Sequence, residues 1–286
     1  MSPMGEIAMS GALAQAIESA CRGEVTAFKP GNVSLASGGH GMSAEQFLLS
    51  AQAIAAPMAE MGLSVGERIL VGVKATQKVV DCNTNLGIIL LFSPLITAFY
   101  RKMPAQSLQN SIQITLNNLT LGDAEAAFTA IALANPGGLG ETQHDVRQKA
   151  RITLLEAMME AASRDTIAQA YSSGYDWQFG RGCQSFNEAL RRWGDESWGV
   201  LACYLAVLAE YPDSHIARKY GPEKARAISE VATHWRDALG RTSDPQSLLP
   251  GLMEWDKELK REGINPGTSA DSCAAVLLIK RLEALH

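Results

Sequence analysis

The segment Asn265-Pro-Gly-Thr-Ser-Ala-Asp271 places hydroxyls and a carboxylate at the head of an apolar C-terminal run. A helix starting there leaves its first main-chain N–H groups without intrahelical partners, and its dipole favours an anion at that end. Thr268 and Ser269, together with those amides, suit a phosphate. Asp271 suits a hard cation or the proton of an attacking hydroxyl. The same residues also have a purely structural reading, because Thr268-x-x-Asp271 has the form of a capping box with Asp in place of Glu or Gln. Both readings stand at this point.

Other turns carry related chemistry. Lys29-Pro-Gly31-Asn32 offers a cation and an amide beside a tight turn. Asn83-Thr84-Asn85 precedes an apolar run that begins at Leu86, so these side chains either cap a helix or face a ligand. Asn135-Pro-Gly137-Gly138-Leu-Gly140 could form a nest of backbone N–H groups ahead of a helix start at Thr142-x-x-Asp145. Asp213 follows Pro212, and Arg218 and Lys219 follow near the stop at Gly221; these too are a helix cap and a dipole complement, or a metal ligand and phosphate grips. Asp213 and Asp271 are the candidate ligands for Mg²⁺, which takes few carboxylates and shares its other positions with phosphates and water. Taken together, the set suits a polyphosphate nucleotide. His40 and His215 read as surface or satisfied core histidines.

Several alternatives lose their support. The chain has no G-x-x-x-x-G-K-[ST], no G-x-G-x-x-G after a strand, no H-E-x-x-H and no G-x-S-x-G. Its histidines are scattered and its cysteines dispersed without a C-x-x-C pair, so a zinc site is not expected and a reducing compartment is. A net charge of −5 without a long basic run argues against nucleic acid as a partner. Ile88–Ile96 is too short to span a bilayer and no signal peptide opens the chain, so a cytoplasmic location is expected.

Positioning these turns requires helices. In a chain of 286 residues that is 47% apolar, Ala and Leu are abundant, and apolar residues recur at three- and four-residue spacing without a convincing strand pair. The periodicity predicts helices over 7–21, 44–61, 65–80, 86–100, 106–119, 123–134, 145–161, 185–209, 222–239, 248–260 and 269–285. Ser43-x-x-Gln46 reads as a capping box, and Pro222 suits a first-turn position. No repeat or long linker appears. The expectation is an all-α, single-domain bundle over 1–286 with a polar cleft built from the interhelical loops.

The ordered set of loops resembles the triphosphoribosyl-dephospho-CoA synthase family: Lys29–Gly31, Asn83–Thr84, Asp213 with Arg218, and Pro266–Asp271, from about Glu24 to the end of the chain. The spellings Lys-Pro-Gly-Asn-Val, Asn-Thr-Asn-Leu-Gly and Asn-Pro-Gly-Thr-Ser-Ala-Asp look like a divergent branch found in archaea and methylotrophic bacteria. Citrate-lyase-type members show His-x-Asp-Met where this chain has His40-Gly41-Met42, and Thr-His where it has Thr84-Asn85.

The resemblance implies a cytoplasmic transferase that uses ATP as ribosyl donor: the acceptor's 2′-hydroxyl attacks the anomeric carbon, adenine departs, and the triphosphate stays on the ribose. It implies that Lys29, Arg218 and the Gly137–Gly140 backbone grip phosphate, with Lys219 a further candidate cation. Asp213 and Asp271 would bind Mg²⁺ or act as catalytic carboxylates, Asn32, Asn83 and Thr84 would orient the sugar or base, and Gly31, Asn85, Gly137, Gly138, Thr268 and Ser269 are further candidates for nucleotide binding. The acceptor is dephospho-CoA or, given the altered loops, a one-carbon carrier precursor of the tetrahydromethanopterin or methylofuran type; a homodimer is the assembly allowed for. The reading from another class is a nucleotide-binding regulatory protein that has lost catalysis.

Overall fold

The computed structural model describes residues 3–135 and 149–285. The chain is all-α, with no strand among the described residues beyond the isolated bridges Ser34–Ser37 and Gly39–Met42. In chain order the helices are α1 (Pro3–Thr26), α2 (Ala44–Met58), α3 (Val65–Gln77), α4 (Leu86–Arg101), α5 (Leu108–Asn117), α6 (Leu121–Ala134), α7 (Leu154–Ala161), α8 (Thr166–Ser173), α9 (Cys183–Trp193), α10 (Glu196–Glu210), α11 (Ser214–Tyr220), α12 (Pro222–Arg241), α13 (Leu249–Arg261) and α14 (Gly267–Ala284). A π-turn, Gln178–Gly182, leads into α9, and a 3-10 turn, Pro245–Leu248, into α13. Among the described residues no helix is long and apolar enough to cross a membrane.

Two helices are apolar on every side and must therefore be interior. In α4 every residue from Ile88 to Phe99 is buried, and in α14 so is every residue from Ser272 to Ile279. They pack on each other, with α1 and α10 also against α14 and α3 and α5 also against α4. Two tyrosines behind them, Tyr171 and Tyr175, donate to the Leu90 and Leu91 carbonyls of α4, which satisfies hydroxyls that burial would otherwise strand.

Local signals set many boundaries. Ser43 and Gln46 form the predicted reciprocal cap, and Pro222 opens α12. The predicted helix over 185–209 is broken, because Gly194 turns left-handed (φ 72°) and Asp195 caps a new start at α10. Its apolar spacing continues across the break, which hides the break from a periodicity reading. The residues 149–153 of the predicted 145–161 helix are not helical; Thr153 caps α7 at Leu154 instead. Helix α8 buries Ile167, Ala168, Ala170 and Tyr171, but at eight residues it is too short for that spacing to stand out as a period.

Candidate active site

Four helices begin at one place. Asp165 caps α8 by accepting from the Ile167 and Ala168 amides through Oδ1. Asp213 caps α11 in the same way, accepting from His215 at 2.9 Å and Ile216 at 3.2 Å. Its other oxygen, Oδ2, accepts from both the amide and the hydroxyl of Ser269, each at 2.8 Å, so one carboxylate caps α11 and α14 together. The Ser214 hydroxyl joins the Thr166 amide, 3.3 Å away, to the Thr268 hydroxyl at 3.2 Å, which ties α8, α11 and α14 into one polar junction. The start of α4 reaches this junction through Gly87. A Cβ built on Gly87 would lie 2.0 Å from Asp271 Oδ2, so only glycine lets α4 approach that carboxylate. Converging N-termini sum their positive dipole ends on one spot, which is an environment for negative charge.

Asp271 is the unfinished part of this junction. The capping-box expectation for Thr268 and Asp271 does not hold: α14 has no cap from its own side chains, because Asp213, 56 residues away in sequence, already takes the Ser269 amide. Among the described residues, nothing donates a hydrogen bond to Asp271 and no cation pairs with it. Burial, followed by the nearby charges of Glu24, Asp213 and Asp165, holds its carboxyl well above the usual carboxylate range, with Arg218 pulling the other way. Asn85, at the head of α4, adds a second unmet group. Its Oδ1 accepts from the Thr76 hydroxyl at 3.0 Å, whereas its buried Nδ2 has no acceptor among the described residues. The α4 cap comes instead from Asn83, whose Oδ1 accepts from the Leu86 amide at 3.1 Å.

The other expected site residues fall into two groups. Thr84 is buried against Ser50, 2.6 Å between hydroxyls. Arg218 is partly exposed and pairs with Asp165 at 2.6 Å, leaving part of its guanidinium for a ligand. Lys219 is exposed and sits over the Tyr220 ring, 5.1 Å from the centroid. The Gly137–Gly138 nest and the Thr142-x-x-Asp145 start lie outside the described residues.

Lys29 is a correction to the expectation that it grips phosphate. It is fully buried; its ammonium lies 3.1 Å from Glu24 Oε1 and donates to the Glu24 and Ala27 carbonyls, which uses its donors. Burial raises the Glu24 carboxyl and the Lys29 charge opposes that rise. The Gly31–Asn32 turn beyond it is likewise closed except for the buried Ser34 hydroxyl, which has no partner among the described residues. Asp256 accepts from the Gly31 amide at 2.8 Å and the Ser37 hydroxyl at 2.6 Å and pairs with Lys260 at 3.0 Å. His40 Nε2 meets the Gly31 carbonyl at 2.7 Å, Tyr204 donates to the Pro30 carbonyl at 2.6 Å, and Asn32 donates to Asn265 at 2.8 Å. Gly31 itself needs glycine, with φ 81° and a Leu259 side chain that an added Cβ would meet at 2.8 Å.

Sequence reading passed over Glu24, Asp165 and Asp256. The signals available were the short Glu24–Lys29 spacing at the end of α1, Asp165 three residues ahead of Ala168 as a cap, and the Asp256–Lys260 helical pair. Among the described residues no three His, Cys, Asp or Glu side chains form a metal-binding group.

The fold agrees with solved relatives. A crystal structure from Archaeoglobus fulgidus, described provisionally as a triphosphoribosyl-dephospho-CoA synthase, superposes with a TM-score of 0.64 at 24% identity, over 84% of this chain and 100% of that one. No curated protein matches the chain significantly. The family described as ATP:dephospho-CoA triphosphoribosyl transferase (CitG) matches residues 10–286, which takes in both polar regions and every loop on which the resemblance rests. The chain is a member of that transferase family.

Proposed function

We propose that the junction of α4, α8, α11 and α14 is the active site of a triphosphoribosyl transfer from ATP to the 2′-hydroxyl of dephospho-CoA. The observation that carries this reading is Asp271, a half-buried carboxylate with no protein partner among the described residues, set where helix N-termini converge. The positive helix ends and the free part of Arg218 suit the triphosphate. The unmet Asn85 amide suits an oxygen of ribose or phosphate.

In the reaction the acceptor oxygen forms a bond to the anomeric carbon while the bond from that carbon to adenine breaks. Asp271 takes the acceptor's proton, and its raised affinity for protons makes it a better base near neutral pH than an ordinary carboxylate. Adenine leaves with the bonding electron pair and is protonated as it departs. Asp213 and Lys29 act at one remove, by fixing the helix starts and the first turn.

Asp213, whose two oxygens are already committed to four donors, has no capacity left for Mg²⁺; Asp271 would be the carboxylate to hold the ion, as an alternative to its acting as the base. When bound, the ion would neutralise the triphosphate. Retention of the Mg²⁺ requirement in Asp271→Asn would assign the ion to the phosphates alone.

A second acceptor has one observation in its favour. Asn85 replaces the His of citrate-lyase-type members, and it carries a donor with no partner among the described residues, so a one-carbon carrier precursor in place of dephospho-CoA would meet a changed surface here. Incubation with MgATP and each acceptor, assayed for free adenine, tests both readings. Release of adenine with neither acceptor, under conditions where ATP binds, would count against the transfer.

A further inference from the structure

A second cavity adjoins the junction. It measures about 400 Å³ and lies between α8, the π-turn, α10 and α14, with Thr166, Trp177, Gln178, Arg181, Tyr211 and Ser272 among its lining residues. Thr166 and Ser272 connect it to the site just described: Thr166 hydrogen-bonds Ser214, and Ser272 follows Asp271 on α14.

Its wall carries an unsatisfied group. Gln178 is 3% exposed, and its Oε1 has no hydrogen-bond donor among the described residues. A buried carbonyl left this way costs free energy that a ligand N–H would recover. Beside it the Trp177 indole is held in place at three points. Its N–H donates to Glu210 Oε2 at 3.0 Å, its ring stands edge-on to Tyr211 with centroids 6.4 Å apart, and Gly182 lies so close beneath that a Cβ there would meet the ring at 2.8 Å. The π-turn that presents both residues is a rare element that recurs at functional sites. A fixed flat ring beside a carboxamide with a free acceptor matches a purine bearing an exocyclic amine, since a Gln carboxamide can pair with the N6 amine and adjacent ring nitrogen of adenine.

We propose that this cavity is the adenine subsite of the transferase site, with Gln178 accepting from the six-amino group and Trp177 covering the ring. The proposal rests on the ATP-dependent reading above. Adenine occurs in both ATP and dephospho-CoA, and the shared ring is what the cavity recognises.

The test is equilibrium binding of adenosine, purine riboside, inorganic triphosphate, ATP and dephospho-CoA to the wild-type protein and to Gln178→Leu. Adenosine is expected to bind the wild type about tenfold or more tightly than purine riboside, which lacks the amine, and to lose a similar factor in Gln178→Leu while inorganic triphosphate is unaffected. Whichever of ATP and dephospho-CoA loses that factor is the source of the ring. Equal binding of adenosine and purine riboside by the wild type overturns the proposal without reference to any variant, as does unchanged adenosine binding by a Gln178→Leu protein with a wild-type melting curve. If the wild type binds ATP and triphosphate yet fails these comparisons, only the adenine subsite falls. If it binds neither, the transferase reading falls with it.

Discussion

The turn after α1 and the junction of α4 with α14 are both polar, both partly buried and both rich in the residue types from which sites are made, yet their bonding differs. Around Gly31 nearly every polar group has an answer: Lys29 with Glu24, Asp256 with the Gly31 amide, Ser37 and Lys260, Tyr204 with Pro30, and Asn32 with Asn265, the buried Ser34 hydroxyl being the exception. At the other junction Asp213 is fully used, while Asp271 and the Asn85 amide are left without partners among the described residues. Closed networks hold a fold, because each group removed strands another in a low dielectric. Open groups cost stability, and a ligand can recover that cost. Polar character and burial alone therefore do not separate a brace from a binding site, and neither does a single unmet hydroxyl such as that of Ser34; an unpaired carboxylate and an unmet amide gathered at one place do.

The largest effect that sharpens this contrast is expected at the brace. Lys29→Met should strand Glu24 and cost about 3–5 kcal/mol by chemical denaturation, and Lys29→Met combined with Glu24→Gln should regain much of it. A single Lys29→Met variant with wild-type stability would erase the distinction between the two regions. Next comes Asp271→Asn, which should lower adenine release by on the order of a hundredfold while the fold persists. Near-normal turnover would remove Asp271 from the chemistry.

Asp213→Ala is expected to lie between brace and site in kind. It removes the cap of two helices at once and should cost roughly 2 kcal/mol, with Asp213→Asn milder because one acceptor remains. A loss of activity in Asp213→Asn far beyond its loss of stability would move Asp213 into the reaction.

The smallest effect is a pH dependence of stability. The folded-state affinity of Asp271 for its proton is raised, so its contribution is fully present below the unfolded carboxyl value of 3.8 and is lost as pH rises through the folded value. Asp271→Asn should therefore melt higher than the wild type at neutral pH, with the gap closing towards pH 4, while wild-type kcat/KM should fall on acidification at a higher pH than an ordinary carboxylate would give. A gap that widens towards low pH contradicts the raised proton affinity.

Much of this fold was readable from local pattern. The Ser43–Gln46 box, the Pro222 start and the unbroken apolar spacing of α4 and α14 are short-range signals, and short-range physics fixes them. The site was readable only in part. Asp213 and Asp271 look alike in the sequence, and what separates them is Ser269, which hydrogen-bonds Asp213 across 56 positions. Lys29 looks like a free cation until Glu24 is seen folded against it. Gln178 carries no motif, and its significance comes from the cavity and from the absence of a donor, neither of which spacing records.

The π-turn has one more consequence, of register. It holds one residue more than an α-turn would, and each residue of an α-helix turns the chain by about 100°. Downstream, α9 sets Cys183, Phe186 and Ala189 into the core; upstream, Trp177 and Gln178 line the cavity. An uninterrupted α-helix could satisfy one of these facings but would swing the other round the axis. Read as an insertion, the extra residue lets a helix keep its place in the core while its first turn is re-aimed, and removing one residue there, for example the exposed Gly180, would force the segment to give up either its packing or its pocket.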